Sequence, residues 1–288
     1  MLNTQPLNTA QLNALTPTPS GIGAVSYDAL EFEGYSLQPS SGSILSEIID
    51  SESGPSRETP YFNLPRYDGG QFLGDYFRER HIKVRGIISA STSALLEQAL
   101  DTFKQTLTFR EGDLDRKQAG TGAVRRIRAT LVNTDAIFAR REGYHITFCP
   151  FDLDFLSLEP MWHDVDYTAA TYENIQLVGG NGIGAENLGT YKVQPVLAII
   201  VESDTAATGL TILNETNGDQ IAATGISIVA GDVIIMDSEA KSFTKNGVEL
   251  DYTGSFPEMP TDTNDITITG TGTSLVVTAT LKFKNAYL

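Results

Sequence analysis

The sequence predicts a mostly β protein in two parts: an N-terminal β-sandwich or split-barrel-like domain with one packed α-helix, then a C-terminal β-sandwich of jelly-roll type. Three observations carry this. Between Phe72 and Phe109 the chain reads strand, polar turn, amphipathic helix, strand, and no other stretch has a comparable helical period. From Val193 onward, short β-rich runs alternate with turn signals and no helix pattern intervenes. The composition shifts near Pro160, where glycine and asparagine become frequent.

Met1 to Ser20, rich in Asn, Thr, Gln and Pro, reads as a flexible arm that orders only against a partner. Residues 21–160 form the first domain. Ala24 to Leu37 alternates weakly around Tyr27, Leu30, Phe32 and Tyr35, with Gly34 marking a turn. Ser40 to Gly70 is loop-like, and a loop of that length is functional or packed on a neighbour. Ile82, Val84 and Ile88 then share one face of a strand, opposite His81, Lys83 and Arg85. Ser91 or Ser93 can cap the helix, whose buried stripe is Leu96, Leu100, Phe103 and Leu107. Such a helix covers one face of a sheet.

Thr106 to Arg110 reads as a strand and Glu111 to Gly122 as a charged connection projecting from the body. Ile127, Ala129 and Leu131, and then Tyr144, Ile146 and Phe148, have the period of half-buried strands. Residues 161–192 read as a junction, with Gly180, Gly182 and Gly184 letting the chain turn. Residues 193–288 form the sandwich, where Asn217-Gly218 and Asn246-Gly247 are hairpin turns.

With 288 residues and 41% hydrophobic content, the chain can bury a large core. Its formal net charge of −16 opposes nonspecific affinity for nucleic acid or an anionic membrane. Most Lys and Arg lie between Arg57 and Arg141, so the two halves differ in charge. A lone Cys149 excludes an intrachain disulfide and reads as a small strand residue. No apolar run approaches the roughly twenty residues of a membrane helix, and no signal peptide is evident, so synthesis in a cytoplasm is expected.

The chemical signals are weak. His163 lies beside Asp164 and Asp166, but a metal site needs three or four converging ligands, and the chain has 3 His. Asp113 and Asp115 have the spacing that opens an EF-hand loop without the ligands that complete one. The glycines around Gly182 precede no helix that could hold a phosphate. Glu202 with Asp204, and Asp237 with Glu239, are close in sequence, which does not establish the cleft geometry of a glycosidase pair. No Ser-His-Asp or Cys-His order is present, and His81 and His145 read as polar-face strand residues. The expectation is no catalysis, no cofactor and no metal.

Arg57, the Pro65-Arg66-Tyr67-Asp68-Gly69 loop, Ile82 to Ile88, the Leu95 to Leu107 helix and Thr106 to Asp113 occur in an order that resembles the distal tail (Dit) protein family of siphophages. Gly189-Thr190, Pro195, Asn214, Gly218, Gly231-Asp232, Asp237, Asn246-Gly247 and Phe256-Pro257 continue it, similar to that family's galectin-like or carbohydrate-module-like outer domain. The likeness covers about residues 21–288. It implies a structural protein of the virion tail tip: a homo-hexameric ring joining the tail tube protein to the baseplate hub, with DNA passing through without specific binding. The outward sandwich would dock receptor-binding or side-fibre proteins; the alternative is a host-glycan-binding baseplate module.

A closed ring needs segments that reach a neighbour, and Ser40 to Gly70 and Glu111 to Gly122 have the length for it. The candidate interface residues are therefore Arg57, Arg66, Tyr67, Asp68, Asp113 and Asp115. A cationic lumen would retard DNA, so Arg125, Arg126, Arg128, Arg140 and Arg141 are expected to serve salt bridges or interfaces and not to line the channel. Aromatics suited to stacking on sugars are few in the second domain, which favours docking over glycan binding.

Overall fold

The computed structural model describes residues 29–37, 44–48, 54–63, 70–72, 74, 76–107, 111–118, 121–132, 147–177, 181–202, 206–272 and 275–288. The N-terminal arm, Arg66, Tyr67, Asp68, Arg140 and Arg141 lie outside them.

The first part contains β1 (Ala29–Phe32), β2 (Tyr35–Ser36), β3 (Ile44–Ile48), β4 (Arg57–Glu58), β5 (Tyr61–Asn63), β6 (Gly70–Phe72), β7 (Tyr76–Phe77), β8 (Arg80–Ser89), α1 (Ser93–Thr106), β9 (Glu111–Lys117), β10 (Val124–Leu131), β11 (Phe148–Ser157) and β12 (Trp162–Asp164). One antiparallel sheet runs β2-β1-β9-β10-β11-β8-β3, with β12 joined to β10; β4 pairs β7 and β5 pairs β6 in two small ribbons. Alternation turns Ile82, Val84, Ile88, Leu114, Ile127, Ala129, Leu153 and Phe155 inward, and α1 closes that face with Leu96, Leu100, Phe103 and Leu107. Phe103 sits 4.8 Å from the Phe151 ring and Phe32 sits 5.2 Å from Phe155. Cys149 is buried within β11, a small strand residue as expected.

Four expectations need correction here. Ser40 to Gly70 is not a loop throughout: Ile44–Ile48 pairs β8 as the edge strand β3, and β4 and β5 lie within the same stretch. Thr92, not Ser91 or Ser93, caps the helix: its hydroxyl accepts the Leu95 N–H at 3.3 Å. The helix continues through Thr106, so no strand begins there. Glu111 to Gly122 does not project: β9 is an interior strand between β1 and β10, joined to β10 by a turn with Gly122 at φ +69°. A strand with one large apolar residue, Leu114, is held by its neighbours' backbones and by charges on its other face.

The second part contains β13 (Thr168–Gln176), β14 (Asn181–Asn187), β15 (Val196–Val201), β16 (Ala207–Asn214), β17 (Gln220–Ile228), β18 (Val233–Asp237), β19 (Ser242–Lys245), β20 (Val248–Glu249), β21 (Thr253–Gly254), β22 (Asp262–Gly272), β23 (Val276–Phe283) and β24 (Ala286–Tyr287). Two sheets, β13-β23-β15-β18-β19-β20 and β14-β22-β16-β17-β21, enclose a core that includes Leu197, Ile199, Ile212, Ile234, Phe243, Ile266, Val277 and Leu281. The chain is mostly β, and its second part is a β-sandwich, as the turn spacing predicted, but with more strands than residues 193–288 supply. Asn246 at φ +51° and Gly247 at φ +79° make the two-residue turn between Lys245 and Val248.

The stretch 161–192 is not a linker. β13 and β14 are outer strands of the two sheets, Ile175, Leu177, Ile183 and Ala185 fill the sandwich core, and Gly182 and Gly184 lie within β14. Few apolar residues are needed there because only alternate positions face inward.

Candidate functional site

The open face of the first sheet is built from charge. On β8, His81 and Arg85 point outward; beside it on β11, so do Asp152 and Asp154. Arg85 Nε donates to Asp152 Oδ2 at 2.9 Å, and His81 Nδ1 lies 3.0 Å from Asp154 Oδ1. β10 then presents Arg126 and Arg128, and β9 presents Glu111, Asp113 and Asp115. Basic and acidic strands thus alternate across the sheet, since residues on one face of neighbouring strands stand side by side.

Arg126 is the centre of this ladder. Its Nε and Nη2 donate to the two oxygens of Asp115, each at 2.7 Å, and its Nη1 lies 3.0 Å from Asp113 Oδ2. The Asp115 hydrogen bonds push the guanidinium pKa further up, against burial, with the charges of Asp115, Asp113 and Glu33 adding to the shift. Arg128 Nε donates to Glu111 Oε1 at 2.9 Å. Asp113 is locked from behind: its N–H donates to Glu33 Oε1 at 2.7 Å and its carbonyl accepts the Glu33 N–H at 2.9 Å. A side chain on Gly112 would overlap Glu33 and Phe32, so the close approach requires glycine. The structure therefore brings Asp113 and Asp115 together with Arg126. It places Arg57 on the β4–β7 ribbon, outside the main sheet. The salt bridges expected of Arg126 and Arg128 are formed, and Arg125 lies over the Tyr287 ring, 3.5 Å from its centroid.

One end of the ladder opens into a cleft of about 580 Å³ between the first sheet and the sandwich. Asp113, Arg126 and Arg128 line it on one side, Lys192, Glu258 and Lys284 on the other, with Glu159 and His163 at the junction. Its ionic groups answer one another. Lys192 Nζ lies 2.6 Å from Glu258 Oε2, and His163 Nε2 lies 2.8 Å from Glu159 Oε1, a contact that lowers the Glu159 pKa against burial. Met161, Val193 and Phe283 give the floor apolar character. Among the described residues no three His, Cys, Asp or Glu side chains converge as metal ligands, and no helix is long and apolar enough to cross a membrane.

The other signals within the described residues resolve into structure; Asp204, His145 and Gly180 lie outside them. Asp237 Oδ1 accepts the N–H groups of Glu239 and Ala240 at 3.0 and 2.9 Å, closing the β18–β19 turn. Glu202 Oε1 accepts from the Thr278 hydroxyl at 2.5 Å. Phe243, Phe256 and Phe283 are buried, and Tyr252 packs edge-on between Phe243 and Phe256.

No family model matches the sequence, and no curated protein is similar to it in sequence. Solved structures do match. The Dit protein (gp 19.1) of phage SPP1, described as a paradigm of the hub adsorption apparatus in Gram-positive-infecting phages, superposes with a TM-score of 0.64 at 14% identity, covering 91% of this chain and 100% of that one. The fold is that of a phage Dit protein. Two structures of the phage P2 baseplate in its activated conformation, with Ca and with Sr, are more distant. Their TM-scores are 0.40 and 0.38 at 11% and 10% identity, and each covers 90% of this chain and 98% of its own.

Within this Dit fold, sequence reasoning noted Asn214 only as part of a likeness and missed the role of the asparagines that hold the loop before β22. Asn187 Nδ2 donates to the carbonyls of Tyr191, Met259 and Pro260 at 2.9, 3.2 and 3.3 Å. Asn214 Nδ2 donates to Glu258 O at 2.7 Å and Asn264 Oδ1 at 3.1 Å. All three asparagines are buried, and carbonyls outside any strand ladder need such donors. The signal available was Asn214 itself, a polar residue ending an apolar strand.

Proposed function

We propose that the chain is a non-enzymatic structural protein of a phage tail tip, a homo-hexameric ring that joins the tail tube to the baseplate hub and leaves a channel for DNA. The observation that carries this reading is the end-to-end superposition on SPP1 Dit, which spans both dissimilar parts in order and leaves none of that chain unmatched. Function is otherwise a property of sites and not of folds, so the site must agree. The charge ladder supports the reading: the open sheet face pairs Arg85, Arg126 and Arg128 with carboxylates, which lowers its attraction for phosphate. The chain then tolerates passing DNA without gripping it.

The ring contacts fall to the arm between Ser40 and Gly70 and to its ribbons, where Arg57, Arg66, Tyr67 and Asp68 lie in sequence. Tyr61 in this arm is 66% exposed, as a neighbour-reaching segment requires. Asp115 is occupied by Arg126, so its role is to brace β9 against β10; Asp113, with a side chain 41% exposed, can still face a neighbour. The sandwich points outward and docks receptor-binding or side-fibre proteins. Its inward-turned phenylalanines favour docking over the glycan-binding alternative. Negative-stain imaging of the largest species in solution tests the ring. A glycan array giving a specific, saturable signal, abolished by altering the Asn- and Asp-rich loops, would transfer the assignment to host-glycan binding.

A further inference from the structure

A strand pair standing between two cores offers one face to each, because side chains alternate along extended backbone. β12 and β24 do this. Met161 is buried in the sandwich core and Trp162 in the core under α1; Ala286 is buried in the sandwich core and Tyr287 packs on the first. Trp162 stands opposite Tyr287 and His163 opposite Ala286. β10 holds the other edge of β12, with Arg125 opposite Asp164 and Arg126 opposite His163.

We propose that this ribbon is a strap fixing the sandwich on the first sheet, so that the two parts move and unfold as one body because their cores share it. Polar locks hold it at both ends. Asp164 Oδ2 accepts from Asn285 Nδ2 at 2.8 Å and from the Tyr287 hydroxyl at 3.4 Å, while Arg125 covers the Tyr287 ring. The Ala286 carbonyl accepts the N–H groups of Thr190 and Tyr191 at 2.9 and 3.0 Å, and the Leu288 N–H donates to Thr190 Oγ1 at 2.8 Å. Gly189 is fitted to the strap so closely that a Cβ there would lie 2.3 Å from the Ala286 carbonyl oxygen. Without the strap, β12 would reach β13 only through Val165, Asp166 and Tyr167, and the Phe77–Tyr191 edge contact at 5.5 Å would be one aromatic pair across the junction. The sandwich would then swing.

The only tryptophan in the chain, Trp162, is 2% exposed and reports directly on the strap. Two variants of the full chain attack it from opposite sides: Tyr287→Ala removes the ring that faces the first core, and Gly189→Ala pushes β24 off the sandwich. Each is expected to raise acrylamide quenching of Trp162 severalfold, to split a single calorimetric transition into two, and to enlarge the radius of gyration, with far-UV circular dichroism retained. Unchanged quenching and a single transition in both variants would overturn the proposal. So would loss of secondary structure in both, which would make the ribbon an inseparable part of one core. Quenching of Trp162 is read within one chain whether or not chains associate, so the ring can fail without the strap failing.

Discussion

Replacing Phe103 by Ala tests whether α1 seals the first core. The side chain is 1% exposed, with its ring 4.8 Å from Phe151 and 6.5 Å from Tyr35. Removing a fully buried phenyl group forfeits about 2–3 kcal/mol of transfer free energy. The aromatic contacts add about 0.5–1.5 kcal/mol beyond area. Leu96, Leu100 and Leu107 are fixed by the helix and Phe151 by β11, so the site cannot collapse and a cavity remains. The total expected loss is about 3–5 kcal/mol. Urea unfolding followed by the fluorescence of Trp162, which lies in the same core, should show a lower midpoint at constant slope. A loss below about 1 kcal/mol would refute the placement, since that is the scale of surface changes. Leu95→Ala, at a position 50% exposed on the same helix, is the matched control and should move stability by less than about 0.5 kcal/mol.

Other perturbations follow from the same geometry. Arg126→Ala leaves Asp113 and Asp115 facing each other without their cation; because the guanidinium is 36% exposed, the cost is discounted to about 1–2 kcal/mol, read by thermal unfolding, and no loss would mean that solvent already screens the ladder. The Asp232 carboxyl is opposed by burial, but the Val229 N–H, Lys245 and Asn246 outweigh it and hold its pKa below the usual value. Its contribution is therefore full above the unfolded value of about 3.9 and lost as pH falls through the folded value. The melting point of the wild type should fall more steeply at acid pH than that of Asp232→Asn, and parallel curves would refute the linkage. Gly254 has φ +97°, and a Cβ would lie 2.1 Å from the Gln220 carbonyl oxygen. Gly254→Ala should cost at least about 1–3 kcal/mol from backbone strain alone and release β21 from β17, seen as faster amide exchange at Ser255, whose N–H donates to the Gln220 carbonyl; unchanged exchange would contradict it.

What the sequence revealed depended on whether the cause was local. The α1 stripe and the Asn246-Gly247 turn were legible because helical spacing and tolerance of positive φ are properties of a few adjacent residues. β9 was not. Its strand character comes from β1 and β10, and from arginines that meet its acids only once the hairpin has formed. Asp113 and Asp115, alternating like Arg126 and Arg128, held that information, and the period became visible only with the two strands side by side. β13 and β14 were hidden by exposed Thr, Glu and Gly positions on outer strands, and β24 is two residues long, below any periodic signal. Of the candidate site, Asp113 and Asp115 proved adjacent in space but engaged within the chain, Arg57 lies on a separate ribbon, and Arg66, Tyr67 and Asp68 lie outside the described residues.

The measurement that tests the ring most directly is the absolute mass of the purified chain by light scattering across a concentration series, with imaging of the largest species. A mass six times that of one chain, with closed rings whose sandwiches point outward, is the predicted result. A mass that stays at one chain throughout the series, or that plateaus at any closed number other than six, would contradict it.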